Sequence, residues 1–370
     1  MIIGFDGSRA FTSSRTGTEN YSYQLLKALA KIDRKNTYIV YLRPSSRDDW
    51  PDNFQFSILN FQFLWTQVGL ALQTFKDKLD VLFVPAHTLP IIRKPGLKTV
   101  VTVHDLGSEY LPQMHQLKQR LYLSYMQKHQ LKSATKLIAV SKATKDDLIK
   151  KIGIDGKKIE VIYEGWDEDK FKVDTVINGL RHYNLQPKTY FFFVGTVQPR
   201  KNLARLIQAY SIFVAKQSSS GNNHTKMELV IIGKKGWLSD EIYGLPKKLG
   251  IEDRVKFLGY VPDKDMPALY KGAIALVFPS LFEGFGLPIL EAQVCGCPVI
   301  TSNLSSMPEV AGKGAVYVNP YSVDDIVEGM FKVQSSKFKV QIVRAGYKNI
   351  KRFSWEKCAG ETLKVLEGVI

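Results

Sequence analysis

Two stretches of this chain set charged side chains beside glycine turns in patterns suited to phosphate and sugar chemistry. The first is Phe278-Pro-Ser-Leu-Phe-Glu-Gly-Phe-Gly-Leu-Pro-Ile-Leu-Glu-Ala292. A strand-like run ends at Phe278, a loop with Gly284 and Gly286 follows, and Pro288 stands where a helix would begin. Glycine lets a backbone approach a ligand closely, and the free N–H groups of a helix start attract anions. Glu283 and Glu291 flank this loop. Carboxylates repel phosphate, so beside an anion site they need another role. Accepting hydrogen bonds from sugar hydroxyls on either side of a diphosphate is the economical one. The plainer alternative is an acidic helix start, which the helix dipole favours without any ligand.

The second stretch is Phe191-Phe-Phe-Val-Gly-Thr-Val-Gln-Pro-Arg-Lys-Asn-Leu203, where Arg200 and Lys201 stand at the mouth of a helix with Asn202 as its cap. Cations at that end oppose the dipole. A bound anion would relieve them, Arg200 offering a fork and Lys201 a point charge; the alternative is a turn with exposed basic residues. Both stretches follow strands that read as one sheet, so they can converge on one diphosphate. In the first half, Val100-Val-Thr-Val-His-Asp-Leu-Gly107 brings His104 and Asp105 out at the end of an apolar strand, and His87 also follows a strand. Gly17 and Thr18, just before a helix, form another candidate phosphate-facing turn. There is no GxGxxG and no Walker lysine, which leaves nicotinamide or ATP chemistry little support. The six His show no HExxH or paired spacing, and Cys295-Gly-Cys297 has no second pair, so no metal and no other cofactor is expected.

The elements that must hold these residues alternate along the chain. Strand-length apolar runs at Ile2–Phe5, Tyr38–Leu42, Phe54–Leu59, Val81–Val84, Thr99–Val103, Leu137–Val140 and Glu160–Tyr163 are separated by helix-length stretches at Thr18–Ile32, Leu64–Lys76, Gln116–Lys132 and Lys142–Lys151. Runs without a polar face argue for parallel sheets covered by helices on both sides. The polar segment Glu164–Lys188 reads as a boundary. Strands then resume at Tyr190–Val194, Glu228–Ile232, Val255–Leu258, Ala273–Phe278, Pro298–Thr301 and Ala315–Val318, while Lys216–Lys226 reads as a surface loop. The expected fold is α/β, two doubly wound Rossmann-like units with ligands at the carboxyl ends of their strands.

Composition bounds the function. In 370 residues, 45% hydrophobic and 23% charged describe a globular chain, and 20 Phe with 17 Tyr give ample surface to bury. Three Cys cannot staple such a chain and fit a reducing cytoplasm as small packing residues. The start reads as a strand rather than a secretory signal, and the most apolar window, Phe61 to Phe75, is broken by Gln62, Thr66, Gln67, Gln73 and Thr74. A cytoplasmic location is therefore expected. The net charge of +16 points to phosphate-bearing partners. The basic stretch that runs from Lys118 to Lys151 suits either a solvated face or peripheral contact with anionic membrane. A non-catalytic basic protein binding nucleic acid or a small anion would explain the charge but not the carboxylates around the phosphate loop. No RRM, zinc-finger or helix-turn-helix pattern supports nucleic acid.

Together the motifs resemble the retaining GT-B glycosyltransferases of group 1, family 4. Glu283-Gly-Phe-Gly-Leu-Pro-Ile-Leu-Glu291 is similar to that family's E-x7-E signature, Val194–Asn202 to its donor-phosphate turn, and Thr301–Glu309 to a segment of its mannosyltransferase-like members. The resemblance implies two facing units, 1–170 for the acceptor and 171–346 for the nucleotide sugar, with 347–370 crossing back to the first. It implies metal-free transfer of a hexosyl group to a glycan or lipid-linked acceptor, with GDP-mannose favoured over UDP-glucose or UDP-N-acetylglucosamine. Arg200 and Lys201 would hold the diphosphate, Glu291 the ribose and Glu283 the sugar hydroxyls. Phe285, Gly286 and Leu287 would offer backbone N–H groups, with Gly284 in the same loop. His104 would sit near the sugar, and Tyr260 and Val261 would end the strand that meets the base. Many members carry Arg where this chain has Thr196, which leaves Arg200 and Lys201 to neutralise the leaving group.

Overall fold

A computed structural model describes residues 1–12, 15, 17–43, 50–61, 64–86, 88–106, 128–171, 177–219 and 226–370. Most of the expected helix Gln116–Lys132, and His87, lie outside the described residues; 128–133 is helical. The chain divides into two compact units, 1–165 with 353–370, and 166–352.

The first unit is built on a seven-stranded sheet in the order β3-β2-β1-β4-β5-β6-β7. Its strands are β1 (Ile2–Asp6), β2 (Thr37–Leu42), β3 (Phe54–Ile58), β4 (Val81–Val84), β5 (Lys98–Val103), β6 (Lys136–Ala139) and β7 (Ile159–Val161). The second unit has six strands in the order β10-β9-β8-β11-β12-β13. These are β8 (Tyr190–Val194), β9 (Glu228–Ile232), β10 (Val255–Gly259), β11 (Ala275–Phe278), β12 (Val299–Ser302) and β13 (Val316–Val318). Every pairing is parallel. Tyr190 to Phe193 and all of β11 are buried, as strands covered on both faces must be. In both sheets the strand order reverses once, between β1 and β4 and between β8 and β11. That reversal opens a crevice where doubly wound folds take their ligands. The fold is two Rossmann-like parallel-sheet units of the GT-B kind.

Local differences from the sequence reading have local causes. The helix Leu203–Ser219 runs into the expected loop, and there the Ser218 and Ser219 hydroxyls bond back to the Val214 and Ala215 carbonyls at 3.1 Å each. The stretch Leu64–Lys76 forms a wide π-type turn, Trp65–Leu70, before an α-helical Ala71–Lys76, and the Lys142 helix ends in the same way at Leu148–Ile152. Residues 347–352 stay with the second unit rather than leaving with the tail: Gly346 packs against Gln293, and the Asn349 amide donates to Gln293 at 2.8 Å and to the Val310 carbonyl at 2.7 Å. The tail itself becomes the helix Trp355–Glu367, its start capped by Ser354, lying along Gly17–Ile32 with Trp355 5.7 Å from the Tyr21 ring.

A buried carboxylate fixes the turn into β2. Asp33, 3% exposed, accepts from the Tyr38 hydroxyl at 2.7 Å, the Lys35 amide at 2.9 Å, and the Asn36 side chain and amide at 2.9 and 3.1 Å. Burial alone would raise its pKa, but the four donors hold it below the usual carboxylate value. Its stabilisation is thus present above the unfolded pKa of about 3.9 and lost as pH falls through the lower folded value. Asp33→Ala is expected to lower stability by about 3 kcal/mol at pH 7 and by less at pH 3, measured by urea unfolding at both. An equal loss at both pH values would contradict this account.

Candidate active site

The second unit places its charged loops at the reversal of its sheet. Strands β8 and β11 are neighbours, with Phe191 opposite Ala275, so the turn after Val194 and the loop after Phe278 emerge side by side. The first turn is shaped by glycine. Gly233, at φ +149°, lies so close to the Gly195 carbonyl that a Cβ there would overlap it. The turn is tied down by the Val197 amide donating to the Lys234 carbonyl at 2.9 Å, and by the Gly236 amide donating to the Val197 carbonyl at 3.0 Å. Thr196, half-buried, rides on this turn. The short helical turn Pro199–Lys201 then delivers Arg200 and Lys201 before the helix Leu203–Ser219 begins.

Both cations converge on Glu283. Lys201 Nζ donates to Oε1 at 2.5 Å and Arg200 to Oε2 at 3.1 Å, with a further Arg200 bond to the Phe282 carbonyl at 2.9 Å. Glu283 is 7% and Lys201 9% exposed, and the ammonium lies 5.2 Å from the centre of the Phe278 ring. Burial would raise the Glu283 pKa; Lys201 and then Arg200 overcome it and hold the carboxyl below its usual value. Asn202 does not act as a side-chain cap. At φ +61° its amide donates to the carbonyls of Pro279 at 3.0 Å and Pro320 at 2.7 Å, and its oxygen accepts from Arg205 at 3.0 Å. It ties the cation turn to the Glu283 loop.

The loop Leu281–Gly286 is mostly buried and ends at Gly286, whose φ of +108° suits glycine, ahead of the helix Leu287–Val294 with Pro288 in its first turn. Its backbone is held by hydroxyls the sequence motif contained but did not explain. Ser305 donates to the Glu283 carbonyl at 2.6 Å, and Ser306 to the Glu283 and Phe285 carbonyls at 3.0 and 2.7 Å. Glu291, one turn into that helix, accepts from the Tyr270 hydroxyl at 2.7 Å. Burial first, then Glu291, pushes the Tyr270 hydroxyl well above its ordinary pKa, keeping it a donor. Lys170, which bonds Asp263 at 2.9 Å, also faces Glu291: burial works against its charge, but Glu291 and Asp263 hold its pKa up. Nothing in the sequence marked Lys170 or Tyr270, since one lay in a polar connection and the other in an amphipathic helix. Beyond β10, Tyr260 is 61% exposed and Val261 is buried.

In the first unit, His104 follows β5 and is 8% exposed. Its Nε2 lies 2.9 Å from the Pro85 carbonyl, which can only accept, so that nitrogen carries a proton; Nδ1 faces Glu164 at 3.3 Å. The Tyr21 ring meets the imidazole edge-on at 4.6 Å. Gly17 opens its helix into open space. Of the basic stretch, Lys136 and Lys145 turn their ammonium groups onto the carbonyls of Lys157 and Ile159, while Lys132, Lys142 and Lys150 are exposed; Lys118 and Arg120 lie outside the described residues. Among the described residues no cluster of three His, Cys, Asp or Glu could hold a metal, and no helix is long and apolar enough to cross a membrane. The three cysteines are buried free thiols, and burial pushes Cys297 up to about 11.

Comparison with known proteins places the chain in a family. The profile of glycosyl transferases group 1 matches residues 181–349, and that of glycosyltransferase family 4 matches 15–170. The O-antigen chain mannosyltransferase B of Escherichia coli is 31% identical over 269 residues, 72% of this chain and 69% of that one. The chain belongs to the group 1, family 4 glycosyltransferases. The O-antigen chain mannosyltransferase RfbU of Salmonella typhimurium is 28% identical over 271 residues, 72% of this chain and 69% of that one. Among solved structures, sucrose-phosphate synthase from Thermosynechococcus elongatus superposes with a TM-score of 0.77 at 18% identity, covering 100% of this chain and 98% of its own. WaaG, a glycosyltransferase involved in lipopolysaccharide biosynthesis, superposes at 0.74 and 18% identity over the whole of both chains. These likenesses establish the fold.

The buried ion pairs set a stability test for this glycosyltransferase. Removing one partner of a buried pair strands the other, at a cost of about 3 kcal/mol where a second cation remains. Lys201→Ala is expected to cost about that much in urea unfolding; a loss below about 1 kcal/mol would contradict the buried pairing.

Proposed function

We propose that this glycosyltransferase moves a mannosyl group from GDP-mannose to a glycan or lipid-linked acceptor, with retention of anomeric configuration and without a metal ion. The observation that carries the reading is the convergence of Arg200 and Lys201 with Glu283 at the reversal of the second sheet, in the loop that leads into the helix bearing Glu291. Breaking the bond between an anomeric carbon and a diphosphate builds negative charge on the leaving phosphate. Arg200 and Lys201, with the backbone N–H groups of Phe285, Gly286 and Leu287 at the helix start, would stabilise that charge. Glu283 would accept from sugar hydroxyls, and Glu291, oriented by Tyr270, from the ribose. In the first unit, the His104 ring is held in place by Pro85 and Glu164. A front-face attack, in which the leaving phosphate takes the acceptor proton, needs no protein nucleophile. The mannose donor is supported by the mannosyltransferases among the relatives.

Donor hydrolysis in the absence of acceptor tests the chemistry without knowledge of the acceptor. Incubated with GDP-mannose and EDTA, the protein is expected to release GDP and, by proton NMR, mannose first in the anomeric configuration of the donor. Lys201→Ala, if folded, is expected to lose at least about a hundredfold in that rate, the scale of removing a preorganised charge partner. Release of the opposite anomer, or a requirement for a divalent ion, would overturn the mechanism. Turnover of UDP-glucose alone would overturn the donor.

A further inference from the structure

We infer that Glu283 is a built-in competitor for the cations that receive the donor diphosphate, so that it lowers the affinity of the site for the free nucleoside diphosphate. The inference rests on the donor-site reading above and concerns what that site does to its leaving group. Both oxygens of the carboxylate are already engaged, one by Lys201 at 2.5 Å and the other by Arg200 at 3.1 Å. It cannot easily withdraw. Ser305 and Ser306 hold its backbone carbonyl at 2.6 and 3.0 Å, and Ser306 pins the Phe285 carbonyl one step further along at 2.7 Å. Nor can water take over from the cations, because Glu283 is only 7% exposed.

A diphosphate reaching Lys201 and Arg200 must therefore share them with a fixed negative charge, or pull them off a carboxylate that burial then penalises. Either way part of its attraction is cancelled. The cancellation is useful chemistry. A site that neutralised the leaving group without opposition would hold the product as firmly as it holds the developing charge, and release would limit turnover. With Glu283 beside them, the cations can stabilise charge as it forms and return to the carboxylate when the product departs. A residue that merely bound the transferred sugar would show no effect on removal toward a nucleoside diphosphate, which lacks that sugar.

Isothermal titration of GDP and UDP into wild-type protein, Glu283→Gln and Glu283→Asp tests this. Whichever nucleoside diphosphate binds the wild type is expected to bind Glu283→Gln about tenfold tighter, no more than the worth of one charge-assisted hydrogen bond. Glu283→Asp keeps the charge but draws it back from Lys201, and is expected to tighten binding about threefold. It also leaves a carboxylate buried beside the two cations, so it carries the test alone should the glutamine variant fail to fold. Turnover of the donor is expected to fall in both while product affinity rises. Unchanged or weaker binding in the folded variants, alongside clear wild-type binding, would overturn the inference and leave the donor-site reading intact. Absence of binding in wild type and variants would overturn the donor-site reading and this inference with it.

Discussion

The contact between Lys201 and Glu283 is the constraint around which the second unit is arranged. A lysine and a glutamate buried to this degree are tolerable only if they meet, and meeting requires loops from two different strands to arrive at one point. Neighbouring positions for β8 and β11 provide the proximity. Gly233 lets the Gly195 turn fold down against β9, Asn202 bridges the turn to Pro279 and Pro320, and Ser305 and Ser306 hold the opposing loop. Each of these spends packing or hydrogen-bonding capacity on placing one carboxylate between two cations. A fold in need of stability alone would do as well with apolar residues at those positions.

The same logic extends outward to Glu291. A half-buried carboxylate on the helix Leu287–Val294 is aimed by a fully buried tyrosine and faced by Lys170. In the first unit, His104 is oriented from both sides, by a carbonyl and by Glu164, beneath the edge of Tyr21. Tyr21 in turn packs against Trp355 of the terminal helix, so residues far apart in sequence stand behind that imidazole. In each case a buried neighbour fixes the side chain: Tyr270 for Glu291, and the Pro85 carbonyl and Glu164 for His104.

Much of this was legible in the sequence because it is carried by short, local patterns. Buried parallel strands announce themselves as unbroken runs such as Tyr190–Val194, and a loop with glycine and proline at fixed offsets announces a helix start that can face an anion. Charge type at a turn is equally local, which is why Arg200, Lys201, Glu283 and Glu291 could be named. What could not be read were partnerships across the sheet. That Arg200 and Lys201 answer to Glu283, more than 80 residues away, follows from strand order, which no local pattern encodes. Asn202 looked like a cap because caps are its commonest local role, yet its amide serves two distant carbonyls instead. Lys170 sat in a polar connection with no motif, and the helix Leu203–Ser219 ran on into serines that composition alone reads as loop.

The central claim is that a nucleoside diphosphate is held on Lys201 and Arg200. The most direct measurement is a thermal-shift panel of GDP, UDP, ADP and dTDP, without metal, on wild-type protein and Lys201→Ala. A ligand at 100 times its dissociation constant stabilises a protein by about 2.7 kcal/mol. The account expects one of the four to raise the wild-type melting temperature and to lose that effect when Lys201 is removed. A folded wild-type protein that none of them stabilises, or a stabilisation that Lys201→Ala leaves unchanged, would contradict it.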